Sequence, residues 1–115
     1  MSKTLRELAT DLIEFIINMH KNSHDSGSFQ KQRYNNLKLE MADPRLFKTP
    51  QIKIFVGISE ASFDLVGLQK ISGSLGPDER YVLRWLSKDT VMNELREIWK
   101  NAEQQVGKAY GSDSD

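Results

Sequence analysis

The sequence predicts an α+β two-layer sandwich: an N-terminal helix, a small antiparallel meander of three to four strands, and two C-terminal helices. Three observations carry this. Near both ends of the chain, apolar residues recur in alternating steps of three and four, the spacing of one helical face. Between them, apolar residues alternate at every second position, as in a half-buried strand. The connections between those alternating runs are hairpin-length, which suits antiparallel neighbours and is too short for a parallel crossover.

The first helix is expected over 4–21. Leu5, Leu8, Leu12, Phe15 and Met19 line one face, and Ala9, Ile13 and Ile16 widen it. Thr4 with Glu7 three residues on has the form of a capping box, and Asp25-Ser26-Gly27-Ser28 stops the helix. A strand at about 36–42 follows, where Leu37, Leu39 and Met41 alternate with Lys38 and Glu40. Asp43-Pro44 and Thr49-Pro50 bracket a loop, because a residue before proline avoids the helical basin.

The clearest strand is 51–58, with Ile52, Ile54, Val56 and Ile58 on one face and Lys53 and Phe55 on the other. Ser59-Glu60-Ala61 is expected to turn the chain into a strand over Ser62–Val66, and Gly67-Leu68-Gln69 into a short strand at Lys70–Ser72. Pro77 followed by Asp78 and Glu79 reads as a helix start. Helix is expected over 77–86, although Tyr81, Leu83 and Trp85 also alternate like a strand. Val91, Leu95, Ile98, Ala102 and Val106 define a last helix over 90–106, closed by Gly107. Residues 1–110 form one expected domain, with 111–115 as a frayed tail.

Composition narrows the function classes. With 115 residues, 38% hydrophobic and 28% charged, the chain suits one folded domain with a modest core. No apolar run approaches the ~18 residues of a membrane span. The absence of cysteine removes thiolate metal sites and cysteine nucleophiles, and no secretory signal pattern is recognisable, so the expected setting is cytoplasmic. Sixteen basic and sixteen acidic residues cancel. Beneath that balance, residues 1–58 carry nine Lys/Arg against six Asp/Glu, and 59–115 seven against ten.

Several motifs come close to chemistry and fall short. His20 and His24 stand four apart beside Asp25, but zinc would need a further ligand, such as Glu60 or Asp64. Gly57-Ile58-Ser59-Glu60-Ala61 partly matches a nucleophile elbow, which requires a strand-to-helix turn and a histidine arriving later in the chain. Gly73-Ser74-Leu75-Gly76 opens a helix where amides could hold an anion, yet Asp78 and Glu79 put negative charge there. Helices 77–86 and 90–106 could form a helix-turn-helix with Arg80, Arg84 and Lys88 on phosphates, but the reader face of Asn93, Glu94, Arg96 and Glu97 is near neutral.

No set of acid, base and nucleophile emerges, so the expectation is a non-catalytic protein-interaction or regulatory module without cofactor or metal. A broad apolar first helix and a small sheet favour a homodimer joined through helix 4–21 or a sheet edge. Trp85, Tyr81, Phe47 and Trp99 are the expected anchors, with Trp99 also placed to join the core. The alternative is a nucleic-acid binder using the 28–53 segment, where Phe29, Tyr34, Phe47 and Phe55 interleave with cations. Its candidate contacts are Lys38, Lys48, Lys53, Arg33, Arg45 and Phe55.

Overall fold

The computed structural model describes residues 2–22 and 34–111, with side chains of the last helix described through residue 105. An α+β arrangement is what it contains: helix α1 (Leu5–Asn22), strands β1 (Lys38–Met41), β2 (Gln51–Val56), β3 (Ser59–Asp64) and β4 (Gln69–Ser74), then helices α2 (Glu79–Leu86) and α3 (Asp89–Gly111). The sheet is an antiparallel meander in the order β1-β2-β3-β4.

Register divides the sheet into two faces. Leu39 pairs with Ile54 and Ile54 with Ala61, while Met41 pairs with Ile52 and Ile52 with Phe63, giving two apolar rows that look into the core. The other face carries Lys38, Phe55 and Glu60 in one row and Glu40, Lys53 and Ser62 in the next. All helices pack on the apolar face. α1 lies against β1, α2 and α3, so its breadth of apolar surface is met from several sides.

The capping box of α1 forms. The Glu7 carboxylate accepts from the Thr4 backbone N–H at 3.1 Å, and the Glu7 N–H donates to the Thr4 hydroxyl at 3.2 Å. The deepest stripe of this helix is Leu8, Leu12, Ile16 and His20, whereas Leu5, Phe15 and Met19 are only half-buried at its flank. The stripe is rotated relative to the expected one because the helix has partners on two sides.

Turn chemistry moves three strand boundaries. β1 is confined to 38–41, shorter than the expected 36–42. β2 ends at Val56, because Gly57 with φ of 62° and Ile58 make a two-residue hairpin turn that leaves Ile58 wholly exposed. Positive φ at the first turn position alone is the pattern of a type II′ hairpin, which glycine favours. Consequently β3 starts at Ser59, where a turn was expected, and Leu65 belongs to the next connection. There the Asp64 carboxylate accepts from the N–H groups of Val66 (3.2 Å) and Gly67 (2.6 Å), and Leu68 takes φ of 53°.

β4 is longer than expected and irregular. Ser62 pairs with Ser72 and Phe63 with Lys70, so the ladder skips Ile71, and Gly73 has φ of 79°. A Cβ at Gly73 would stand 2.2 Å from the Glu60 carbonyl oxygen, which is why only glycine fits this close approach. Lys70 reaches Glu79 of α2 at 3.2 Å and ties this edge to the helical layer.

Residues 79–86 are helix, burying Tyr81, Val82, Trp85 and Leu86 on one side. α3 runs past Gly107 to Gly111, so that glycine does not end it. Of the residues described beyond Trp99, all are exposed or half-exposed, and the helix extends clear of the core. This accounts for a radius of gyration of 15.6 Å and a long axis of 60 Å, against roughly 13 Å for a sphere-like chain of this size. The expected tail overlaps α3 at Gly111, and 112–115 lie outside the described residues.

Candidate functional site

Three of the four expected anchors are core residues. Trp85 is 1% exposed, and Tyr81 and Trp99 are nearly as buried, since α2 and α3 turn these faces towards α1 and the sheet. An aromatic in this position stabilises the domain and presents little to a partner. Phe47 differs. It is 42% exposed, beside Leu46 at 76%, in the connection between β1 and β2.

That connection is well built. Leu46 and Phe47 N–H groups both donate to the Asp43 carbonyl at 2.9 and 3.1 Å, with Pro44 setting the turn. The Arg45 guanidinium grips the Asp43 carboxylate at 2.6 to 3.1 Å and holds its pKa below the ordinary range. At the same end of the sheet stands the β3–β4 connection, linked by a 3.0 Å bond from Leu65 N–H to the Pro50 carbonyl. It exposes Val66 at 62%. Arg96 of α3 donates to the Leu65 carbonyl at 2.9 and 3.2 Å, fixing this turn to the helical layer. Leu46 and Phe47 on one connection and Val66 on the other are thus exposed apolar side chains at the same end of the sheet, on braced connections that also carry Asp43, Arg45, Lys48 and Asp64.

The nucleic-acid candidates separate. Lys38, Lys53 and Phe55 do share the outer sheet face, but Glu40 and Glu60 occupy the same rows. Lys38 lies 3.5 Å from Glu40 and 5.5 Å from the Phe55 ring centroid. Arg45 is engaged by Asp43, and Lys48 sits apart in the loop. Arg33, like Phe29, lies outside the described residues. A strand of phosphates would meet alternating charge on this face, which weakens electrostatic attraction.

A buried polar cluster escaped the sequence reading. Tyr34 donates its hydroxyl to Asp78 Oδ1 at 2.7 Å and stands 2.7 Å from His20 Nε2, which is itself 3.2 Å from Asp78 Oδ1. The single hydroxyl proton goes to Asp78, so Nε2–H of His20 is the donor to the tyrosine oxygen. Tyr81 packs edge-on to His20 with centroids 5.1 Å apart. His20 is therefore an interior residue, and its partners are Tyr34 and Asp78 rather than Glu60 or Asp64; His24 and Asp25 lie outside the described residues. Among the described residues no group of three His, Cys, Asp or Glu could hold a metal ion. The polar spacing that might have signalled this cluster spans 58 residues, beyond the reach of periodicity.

The remaining motifs resolve into structure. Ser59 opens a strand after a hairpin turn, so the strand-to-helix geometry of a nucleophile elbow is missing at that position. In Gly73–Gly76, the Leu75 N–H faces the Glu79 carboxylate at 3.4 Å and the Gly76 N–H donates to the Ser74 hydroxyl at 3.2 Å, so an anion would compete with an internal carboxylate. α2 and α3 do form a helical hairpin, but Glu94 accepts from the Lys3 N–H at 2.7 Å and Arg96 holds the β3–β4 turn, which occupies the would-be reader face. No described helix is long and apolar enough to cross a membrane.

Comparison with protein-family models, curated proteins and solved structures finds no match for this chain.

Proposed function

We propose that this chain is a non-catalytic protein-interaction module of the cytoplasm that pairs with a second copy of itself through the loop end of the sheet. The observation that carries the reading is the exposure of Leu46, Phe47 and Val66 on two connections that are braced by Asp43, Pro50 and Arg96. Rigid exposed apolar side chains lose little entropy on docking and gain by leaving water.

A second copy is the favoured occupant because these connections are charge-balanced, with Arg45 paired to Asp43 and Lys48 and Asp64 carrying opposite signs. A two-fold contact sets each patch against itself, and mixed charge lets opposite signs face each other there. Zero formal net charge adds no long-range repulsion between copies. The other routes are less favourable. α1 is covered by β1, α2 and α3, and β4 carries a skipped residue, a lysine and a left-handed glycine, devices that discourage edge pairing.

Sedimentation velocity over a concentration series tests this. The expected result is a monomer–dimer equilibrium that Leu46→Ser with Phe47→Ser shifts to monomer without lowering the thermal midpoint. A wild-type chain that stays monomeric at high micromolar concentration, or a double variant that dimerises equally well, would overturn the reading.

A further inference from the structure

One edge of the sheet is open in a regular way. The Ala42 N–H donates to the Gln51 carbonyl at 3.0 Å, so Ala42, Glu40 and Lys38 turn their backbone groups towards β2. In an antiparallel ladder the residues between them face the other way. Leu39 and Met41 therefore aim their N–H and C=O groups outward from the edge strand β1. Among the described residues, no hydrogen bond reaches these two backbones from beyond the sheet. The opposite edge, β4, is broken by a skipped residue and the left-handed Gly73. β1 keeps an unbroken register without glycine or proline.

α1 roofs this edge. Of the strands, it packs chiefly on β1. Asp11 and Phe15 line a groove shared with Trp85 and Val91, which gives that flank of α1 to α2 and α3. Helical spacing puts Ala9, Ile13 and Ile17 on the other side of the buried stripe, and all three are only half-buried. On the outer face of β1 stand the exposed Lys38 and Glu40.

We infer that β1 binds an extended segment of another protein as a fifth, antiparallel strand. Main-chain bonds to Leu39 and Met41 supply the pairing, and the side chains of the segment alternate between two environments. Those facing Leu39 and Met41 are apolar and lie on the α1 side of the sheet, where Ile13 and Ile17 have surface to spare. Those facing Glu40 and Lys38 are basic and acidic, extending the alternation of charge that already runs from Glu40 to Lys53. From its N-terminus the segment reads apolar, basic, apolar, acidic, apolar.

A second copy of this chain does not fit here, although its own residues 37–41 have that pattern. Paired strands lie about 4.8 Å apart, whereas packed helices need about 8–10 Å between their axes. Two β1 edges joined across a two-fold would drive one α1 into the other. A lone strand brings no helix. This site is therefore separate from the loop-end contact between copies.

The test titrates the isotope-labelled full chain with the capped peptide Thr-Val-Lys-Val-Glu-Val-Thr, followed by amide NMR. Saturable shifts centred on Leu39, Met41, Ile13 and Ile17 are expected. N-methylation of the central valine, which faces Leu39, should weaken binding about tenfold or more. Exchanging the lysine and glutamate of the peptide should weaken it about fivefold. Lys38→Glu with Glu40→Lys swaps two exposed side chains of the protein and should reverse that preference. Met41→Pro removes an outward N–H that makes no bond to β2, and should abolish the shifts at β1 while the rest of the spectrum holds. No saturation at millimolar peptide, unchanged affinity after N-methylation, or an unreversed preference in the charge-swapped variant would overturn the assignment. So would broadening of the Leu39 and Met41 amides with protein concentration alone, which would put a second copy on this edge.

Discussion

Tyr34 hands its hydroxyl proton to Asp78 at 2.7 Å across 44 residues of chain, and neither side chain is exposed to solvent. Asp78 closes the short 3₁₀ turn Gly76–Asp78 before α2, and His20 sits in the last turn of α1. The cluster therefore fastens α1, the segment entering β1 and the start of α2 to one another. A buried carboxylate requires such partners, because desolvation without them exceeds what packing returns.

Tyr34→Phe removes the hydroxyl while keeping the ring. Leaving a buried acceptor without its donor costs about 1–3 kcal/mol. Urea unfolding should show a loss of that size with unchanged slope. A loss near zero would mean that the hydroxyl does not fasten these elements.

Trp85→Ala should destabilise the domain by about 3–5 kcal/mol, the usual result of emptying a large buried aromatic site. Phe47→Ser, at an exposed loop position, should leave the unfolding midpoint nearly unchanged. Parallel thermal melts of the two variants check the contrast, and equal losses would contradict the burial seen for Trp85.

Glycines separate by surroundings. At Gly57 a Cβ meets nothing within 4 Å, so the only penalty of Gly57→Asn is a side chain at positive φ, and its melt should show a small loss of stability, about 1 kcal/mol. Gly73→Ala drives a methyl group into the Glu60 carbonyl and should cost about 3 kcal/mol or more. Hydrogen exchange should locate that loss in β3 and β4.

The Glu7 carboxyl is held below its ordinary pKa by the Thr4 backbone N–H and then by the Thr4 hydroxyl. A pKa lowered in the folded state means that this cap supports folding above the unfolded carboxylate range and is lost as pH falls through the lowered folded value. Carboxyl NMR titration of Thr4→Val, which removes the hydroxyl contribution, should show the Glu7 midpoint moving upward towards the ordinary value. An unmoved midpoint would mean the hydroxyl contributes nothing.

The helices and the meander were readable because their signals are local. Thr4 and Glu7 sit one helical turn apart, and Ile52, Ile54 and Val56 alternate without interruption. Ile58 continued that alternation and so concealed the hairpin, where the decisive quantity is the positive φ of Gly57. Trp85 and Tyr81 resembled anchors because their burial depends on where α1 lands, which no spacing within α2 records. Phe47 was legible as an exposed aromatic, but Val66 comes to the same end of the sheet only through the strand register. His20, Tyr34 and Asp78 were invisible as a set, since long-range polar contacts leave no period in the chain.

The position of α1 also sets an order of events during synthesis. The ribosome releases Leu8, Leu12 and Ile16 early, yet the residues that cover them include those of α2 and α3, and the Lys3 N–H meets Glu94 across 91 residues. The meander closes through neighbouring hairpins and can form as it emerges, because short loops lose little entropy on closure. The amphipathic first helix can meet β1 as the meander forms, but the part of its apolar side that α2 and α3 cover stays open to water until they have emerged. A nascent chain stalled before α2 therefore presents a half-covered leading helix beside the meander.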